Sequence, residues 1–424
     1  MILLKTQNLQ KKFVVKKSFL SKNNTFLTVN RNINLNIFTR ETLGIVGESG
    51  SGKSTLGKVI LQLSKLNKGN IFYYGLTLDD FTPYYVKKII YQLPKINLNL
   101  QDFSQQELYV KDTKNHQFLK LLGILCLSSE LLEIKKLLLF KIKIQKQRNN
   151  FNKKRLNQEL KNIEKQLQQK KDILKNHTLF NLYESFVEKG IDLTLLNENE
   201  KRFLRKDLQI IFQDSFSSLS PYLTIGDIIG EGLLIHRIVI NKKDPFYQKN
   251  ILEMMQKCGI NKNFYHRYAY ELSGGQRQRI NIARSLILKP KFVICDEAVS
   301  SLDVTLQSQI LDLLNSLKQN YNLTYLFITH DLGVAHYICD RIVVMYLGRF
   351  LEMASSEEIF KNPLHPYTQK LINSIPSLEN QYFISNRNVL KNTKQNYIFS
   401  NDFLKDNDWY EIKPNHFIAC TLKR

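Results

Sequence analysis

Acidic residues are scarce in this 424-residue chain: 38 Asp and Glu face 61 Lys and Arg, for a formal net charge of +23. Such an excess fits nucleic acid, an anionic membrane surface, or a Lys/Asn-rich residue usage that loads solvated faces, and charge alone does not choose among them. Cysteine is sparse too. Cys126, Cys258, Cys295, Cys339 and Cys420 are scattered without a CxxC pair, which argues against a disulfide framework or a zinc site and suits a reducing cytosol. Long apolar runs are missing: LLGILCL from Leu121 falls far short of the roughly 20 residues that cross a bilayer. The first residues, MILLKTQNLQKKF, have neither the apolar core nor the small-residue cleavage site of a secretory signal, so the protein is expected to stay where it is made. Against these absences, the 43% hydrophobic content is ordinary for a globular chain, and the length suits one large α/β domain with additions, or two domains.

The most informative stretch is GESGSGKST, made of Gly47, Glu48, Ser49, Gly50, Ser51, Gly52, Lys53, Ser54 and Thr55. Glycines let a backbone fold into a nest of inward-pointing N–H groups that cradle nucleotide phosphates, with a helix N-terminus behind them. Lys53 would neutralise phosphate charge and Ser54 would offer its hydroxyl to Mg²⁺. The preceding ETLGIVG reads as the buried strand such a loop follows.

Along the chain, ILLKTQNL and RNINLNIF alternate as strands of a small sheet, with polar KKSFLSKNNT between them as a loop. LGKVILQLSKL predicts a helix ending before Lys68-Gly69, and GNIFYYG a strand. From about Thr82 to about Leu195 glycine thins out, and Lys, Gln, Asn and Leu dominate. There Leu156, Leu160, Ile163, Leu167 and Leu174 follow four- and three-residue steps with Lys170 in the one missing place, a short heptad stripe. Residues 133–175 carry 14 basic against 4 acidic side chains, a net of +10. The stretch reads either as a solvated helix or helical hairpin set into a surface loop, or as a basic face resting on anionic lipid or a partner. Ordered α/β patterning resumes at LRKDLQIIFQD, followed by the turn-rich SFSSLSPYLTIG. Helical spacing returns from about Lys249 to Gly259, and a glycine pair then precedes an amphipathic helix expected to begin near Gln276. KFVICDE reads as a buried strand ending in two carboxylates, Leu306 to Lys318 as a helix, and LTYLFITHD as a second buried strand closed by His330. This alternation predicts a mostly parallel sheet covered by helices.

Asp296 at a strand end would hold Mg²⁺, and Glu297 would polarise an attacking water as general base. With the phosphate loop, the Gln of FQD, LSGGQ, VICDE, SSLD and ITHD all present in this order, the chain resembles the nucleotide-binding subunit of ATP-binding-cassette transporters over residues 1–80 and about 200–380. The resemblance implies an α/β P-loop NTPase cassette, with a RecA-like core, an antiparallel β-subdomain and a helical subdomain, here carrying a helical or coiled-coil insert. ATP and Mg²⁺ are its implied ligands. Carried over to this sequence, the resemblance makes Lys53 and its loop the phosphate site, Gln213 the metal- and water-sensing glutamine, and Asp296 the metal-binding aspartate. Glu297 becomes the catalytic carboxylate and His330 the switch histidine. Ser273, Gly274, Gly275 and Gln276 belong to the signature that reads the γ-phosphate of a facing cassette, and Ser300 to Asp303 form the dimer-interface loop. Phe13, or else Phe26, would stack on adenine, or either is simply a core side chain.

KNPLHPYTQKLINSIP, Lys361 to Pro376, resembles the C-terminal element of oligopeptide and dipeptide importer ATPases, and FQDSFSSLSP resembles that branch's FQDPxxSLNP. Ser215 and Ser220 depart from it mildly. The branch often ends in a cysteine cluster that holds an iron–sulfur centre, whereas here only HFIAC, His416 to Cys420, is similar, so no such cluster is expected. The implied organisation is residues 1–81 and 196–360 as the cassette, 82–195 as a lysine-rich insert, and 361–424 as the C-terminal element. The implied setting is the cytoplasmic face of the cell membrane. Its implied partners are a D-type second ATPase in a heterodimer, two transmembrane permease subunits and, indirectly, an extracellular peptide-binding protein. No nucleic acid is expected. The alternatives are a nucleic-acid-acting ATPase of the same superfamily and import of another solute such as nickel.

Overall fold

The computed structural model describes residues 1–16, 25–78, 80–93, 114–147, 153–374, 397–400 and 402–422. Most of the expected loop KKSFLSKNNT lies outside the described residues. The chain forms two compact units, Met1–Ile71 with Lys201–Arg424, and Phe72–Glu200.

The first unit is built on a sheet with the strand order Tyr397–Ile398, His416–Leu422, Arg349–Ser355, Arg341–Tyr346, Thr42–Val46, Thr324–Thr329, Phe292–Asp296, Leu208–Ile211. From Arg341–Tyr346 to Leu208–Ile211 neighbours run parallel, and the C-terminal strands add to this edge antiparallel. Every residue of Thr42–Val46, Phe292–Asp296 and Thr324–Thr329 is buried. Continuous burial of this kind requires cover on both faces. On one face Gly57, in the helix Lys53–Ile60, comes so close to Ile294 and Ile328 that a side chain there would crowd them. On the other, Val293, Cys295 and Phe327 join a core with the helices Gly274–Leu286 and Val304–Tyr321. Ile2–Lys16 and Thr25–Phe38 pair antiparallel as the expected small sheet.

Two helix boundaries differ from the sequence reading. The helix after the phosphate loop stops at Ile60 rather than running on to Leu66, because Gln62 turns into the left-handed region (φ 56°) and Leu63 N donates back to Lys58 O. The signature helix starts at Gly274, not near Gln276, because Ser273 caps it. The turn-rich SFSSLSPYLTIG contains a helical turn, Ser215–Ser218, with Asp214 accepting from Ser217 N.

The second unit is helical, with its own core. Val86, Ile89, Ile90, Phe118, Leu119, Leu122, Ile134 and Tyr183 bury one another across the helices Tyr84–Gln92, Lys114–Leu122, Leu131–Gln147 and Phe180–Ser185. The heptad stripe, Leu174 apart, lies on Lys153–Ile173: Leu156 and Ile163 are buried against Ile144, with Leu160 and Leu167 alongside, so a helical pair forms. Lys170, at the missing heptad place, bonds Glu130 and Glu133 instead of packing. Phe72 and Tyr73 pair with Asp192 and Ile191.

Candidate functional site

The strand Thr42–Val46 hands the chain into the phosphate loop and the helix Lys53–Ile60 takes it away. Gly52 has φ 102°, and a Cβ there would stand 2.7 Å from Val29 O, so the loop tolerates no side chain at its last turn. Lys53 is buried beneath the loop, its Nζ donating to the carbonyls of Gly47 and Glu48, both at 2.8 Å. Burial holds the Lys53 ammonium below its ordinary range against the upward pull of Glu297 and Asp296.

At the C-terminal end of Phe292–Asp296, 242 positions along the chain from Ser54, Asp296 Oδ1 accepts a hydrogen bond from the Ser54 hydroxyl at 2.6 Å. Burial raises the Asp296 pKa, opposed chiefly by this hydrogen bond and by Lys58. A cavity of about 300 Å³ opens beside the pair, lined by Ser54, Lys58, Phe212, Gln213, Asp214, Ser217, Ser218 and Asp296. Hydroxyl, carboxylate and carboxamide oxygens are the hard donors that suit a magnesium ion.

Glu297 follows with φ 48°, a conformation a non-glycine residue rarely adopts, and its backbone N donates to Ile328 O at 2.9 Å. Gln213 Nε2 donates to Glu297 Oε2 at 2.9 Å, and His330 Nδ1 stands 3.3 Å from the same oxygen. Two residues just past the ends of Leu208–Ile211 and Thr324–Thr329 thus converge on the carboxylate of a third, just past the end of Phe292–Asp296.

The signature stands apart. Ser273 Oγ accepts from Gln276 N at 3.4 Å and Gln276 Oε1 from Ser273 N at 3.1 Å, a capping box that leaves the side chains of both residues at the surface with Gly274. Among the described residues no hydrogen bond joins Ser273, Gly274, Gly275 or Gln276 to the phosphate loop. Asp303 is exposed and caps the next helix, accepting from Thr305 Oγ1 at 2.6 Å and Leu306 N at 2.9 Å. These bonds hold its carboxyl below the usual range. Phe13 and Phe26 lie on paired strands, 42% and 52% exposed, so neither is the core side chain that the sequence left open. Lys11 Nζ sits 4.5 Å from the Phe13 ring centroid.

Sequence reading missed a polar stripe on the signature helix. Gln278 Nε2 donates to Ala298 O (2.7 Å), Asn281 Nδ2 to Phe212 O (3.3 Å) and Ser285 Oγ to Ile210 O (3.0 Å), joining that helix to the segments that carry Gln213 and Glu297. The signal was three polar residues at i, i+3 and i+7 on one helix face.

The ABC transporter family profile matches residues 30–182 and 178–300. The chain belongs to the ABC transporter family. A second profile, the oligopeptide/dipeptide transporter C-terminal region, matches residues 351–396 of this cassette. The cassette is 46% identical over 222 residues to the oligopeptide transport ATP-binding protein OppF of Bacillus subtilis (strain 168), covering 52% of this chain and 70% of that protein. It is 30% identical over 393 residues to OppF of Streptococcus mutans serotype c, covering 92% of this chain and 87% of that one. A solved dimeric ATP-binding cassette in a post-hydrolysis state with ADP and Pi aligns at TM-score 0.49 and 19% identity, over 84% of this chain and 99% of that one. Among the described residues of this ABC ATPase no helix is long and apolar enough to cross a membrane.

Proposed function

We propose that this cassette is the ATP-binding and ATP-hydrolysing subunit of an ABC importer that takes up oligopeptides or dipeptides. The observation that carries the hydrolytic half is the convergence of Gln213 and His330 on Glu297 Oε2, next to the Ser54–Asp296 pair. In this reading the loop Gly47–Thr55 and Lys53 bind the phosphates of ATP. Ser54, Asp296 and Gln213 would hold Mg²⁺, which would offset phosphate charge when bound. Glu297 accepts the proton of the attacking water, and His330 and Gln213 orient its carboxylate. Phe13 offers an exposed face to adenine. Ser273, Gly274, Gly275, Gln276 and Asp303 serve the phosphate and the interface of a facing cassette, a role supported by the exposure of Ser273, Gly274, Gln276 and Asp303 and by the absence, among the described residues, of a hydrogen bond to their own loop.

The peptide half rests on the C-terminal region match and on relatives named for oligopeptide transport. The reading extends to a D-type cassette as heterodimer partner, two permease subunits, an extracellular peptide-binding protein reached through them, and the cytoplasmic membrane face. It assigns 1–81 and 196–360 to the cassette, 82–195 to an insert and 361–424 to the C-terminal element. The separate core of Phe72–Glu200 supports setting an insert apart.

The test is Glu297→Gln in the assembled transporter. Steady ATP hydrolysis should fall by at least about a hundredfold, with ATP binding kept. Turnover near wild type would remove Glu297 from the proposed role.

A further inference from the structure

The phosphate loop is backed by a turn between two strands of the large sheet. Arg349 pairs with Tyr346, so Leu347 and Gly348 alone connect those strands. Both have positive φ, 41° and 83°, as the two-residue turn of a twisted antiparallel pair requires. Gly348 is buried, and both of its backbone polar groups are engaged. Its N donates to Ser51 O at 2.9 Å, and its O accepts from Arg31 N at 2.8 Å. A Cβ on Gly348 would stand 2.1 Å from Val29 O, so only glycine closes this clasp between the phosphate loop and the strand Thr25–Phe38.

The clasp fixes a direction. In a trans peptide the carbonyl and the next N–H point opposite ways, so a Ser51 O held by Gly348 N leaves Gly52 N–H facing away from the turn. The following peptide is fixed likewise: Gly52 O accepts from Leu56 N at 2.9 Å and from Asn30 Nδ2 at 3.2 Å, which turns Lys53 N–H away from Asn30. Neither Gly52 N nor Lys53 N has an acceptor among the described residues. Successive N–H groups without acceptors, each aimed by a bond to the carbonyl on its far side, make the kind of donor pair that binds anions.

We propose that Gly348 is a positioning residue of the ATP site, its N–H setting the Ser51–Gly52 peptide so that Gly52 N–H meets a phosphate oxygen. The inference rests on the nucleotide reading above and gives a turn remote in sequence a part in phosphate binding.

Gly348→Ala keeps every side chain of the site yet forces the turn off Val29 O, and Gly69→Ala is its matched control. Gly69 has φ 96°, and a Cβ there would stand 2.5 Å from Gln7 O and 2.6 Å from Asn8 O, atoms outside the phosphate loop. Both variants should lower the denaturant midpoint of the full-length chain. Only Gly348→Ala should weaken calorimetric binding of a non-hydrolysable ATP analogue with Mg²⁺, by roughly three- to tenfold, the range of one net hydrogen bond. In the assembled transporter it should raise KM for ATP by the same factor with kcat within about twofold, whereas plain loss of folded protein lowers kcat at unchanged KM. The wild-type chain supplies a second test that stands even where Gly348→Ala does not fold. Coupling is reciprocal, so the analogue should slow amide hydrogen exchange at Gly348 by a similar factor beyond any slowing common to the strand Arg341–Tyr346. Wild-type affinity in Gly348→Ala, equal weakening in both variants, or no extra slowing at Gly348 overturns the proposal. A wild-type chain that binds no analogue instead overturns the nucleotide reading and this inference with it.

Discussion

Glu297 shows how one residue combines strain and chemistry. Its φ of 48° places a branched-off side chain in the left-handed region, which costs about 1 kcal/mol for a residue with a Cβ. The backbone bond to Ile328 O and the side-chain contacts of Gln213 and His330 hold it there. Removing the carboxylate in two ways separates these contributions. Glu297→Ala and Glu297→Gly should both stop hydrolysis, yet the glycine variant should be the more stable by roughly 0.5–1 kcal/mol in denaturant unfolding, since only glycine adopts this φ freely. An alanine variant as stable as the glycine one would mean that the conformation carries no strain. The identities of Lys53, Ser54, Asp296, Glu297 and His330 were legible because each sits at a fixed offset from a strand end. The Gln278, Asn281 and Ser285 stripe was not, because polar residues on a helix ordinarily read as a solvated face. Only tertiary packing turns that face towards the carbonyls of Phe212, Ile210 and Ala298.

Among elements, strands were read more securely than helix ends. The runs before the phosphate loop, in KFVIC and in TYLFIT are wholly apolar or nearly so, and two-sided burial demands that pattern. Helix ends depend on caps, and the start at Gly274 was written in the sequence as Ser273 followed three residues later by Gln276. The C-terminal element was legible only as a resemblance, because what fixes it is a long-range buried network. Glu352 accepts from Leu364 N, His365 N and, at 2.7 Å, His416 Nε2. Glu352→Ala would strand these donors away from water, where each unsatisfied group costs about 1–3 kcal/mol. The variant should therefore lose roughly 3 kcal/mol or more of unfolding free energy, measured by denaturant titration. Stability within about 0.5 kcal/mol of wild type would show that Glu352 does not anchor this element.

For the whole molecule, the sequence marked a change of character near Thr82 and Leu195, but composition does not say whether such a stretch folds. The structure gives Phe72–Glu200 a core of its own, in which Ile89, Leu119, Leu122, Ile134 and Tyr183 are buried against one another. The core around Val293, Phe327 and Leu314 draws only on residues of the first unit. Separate cores predict separable folding. Phe72 pairs with Asp192 and Tyr73 with Ile191. Continuing that register sets Tyr74 opposite Gly190, so replacing residues 75–189 by Asn-Gly should close a two-residue hairpin there. The shortened chain should fold and bind ATP within about threefold of the full chain, because none of Lys53, Ser54, Gln213, Asp296, Glu297 or His330 is removed. Thermal unfolding should show the loss of whatever transition belongs to the excised helices. A shortened protein that is soluble and cooperative in unfolding, yet binds no ATP, would mean that the lysine-rich unit shapes the nucleotide site itself.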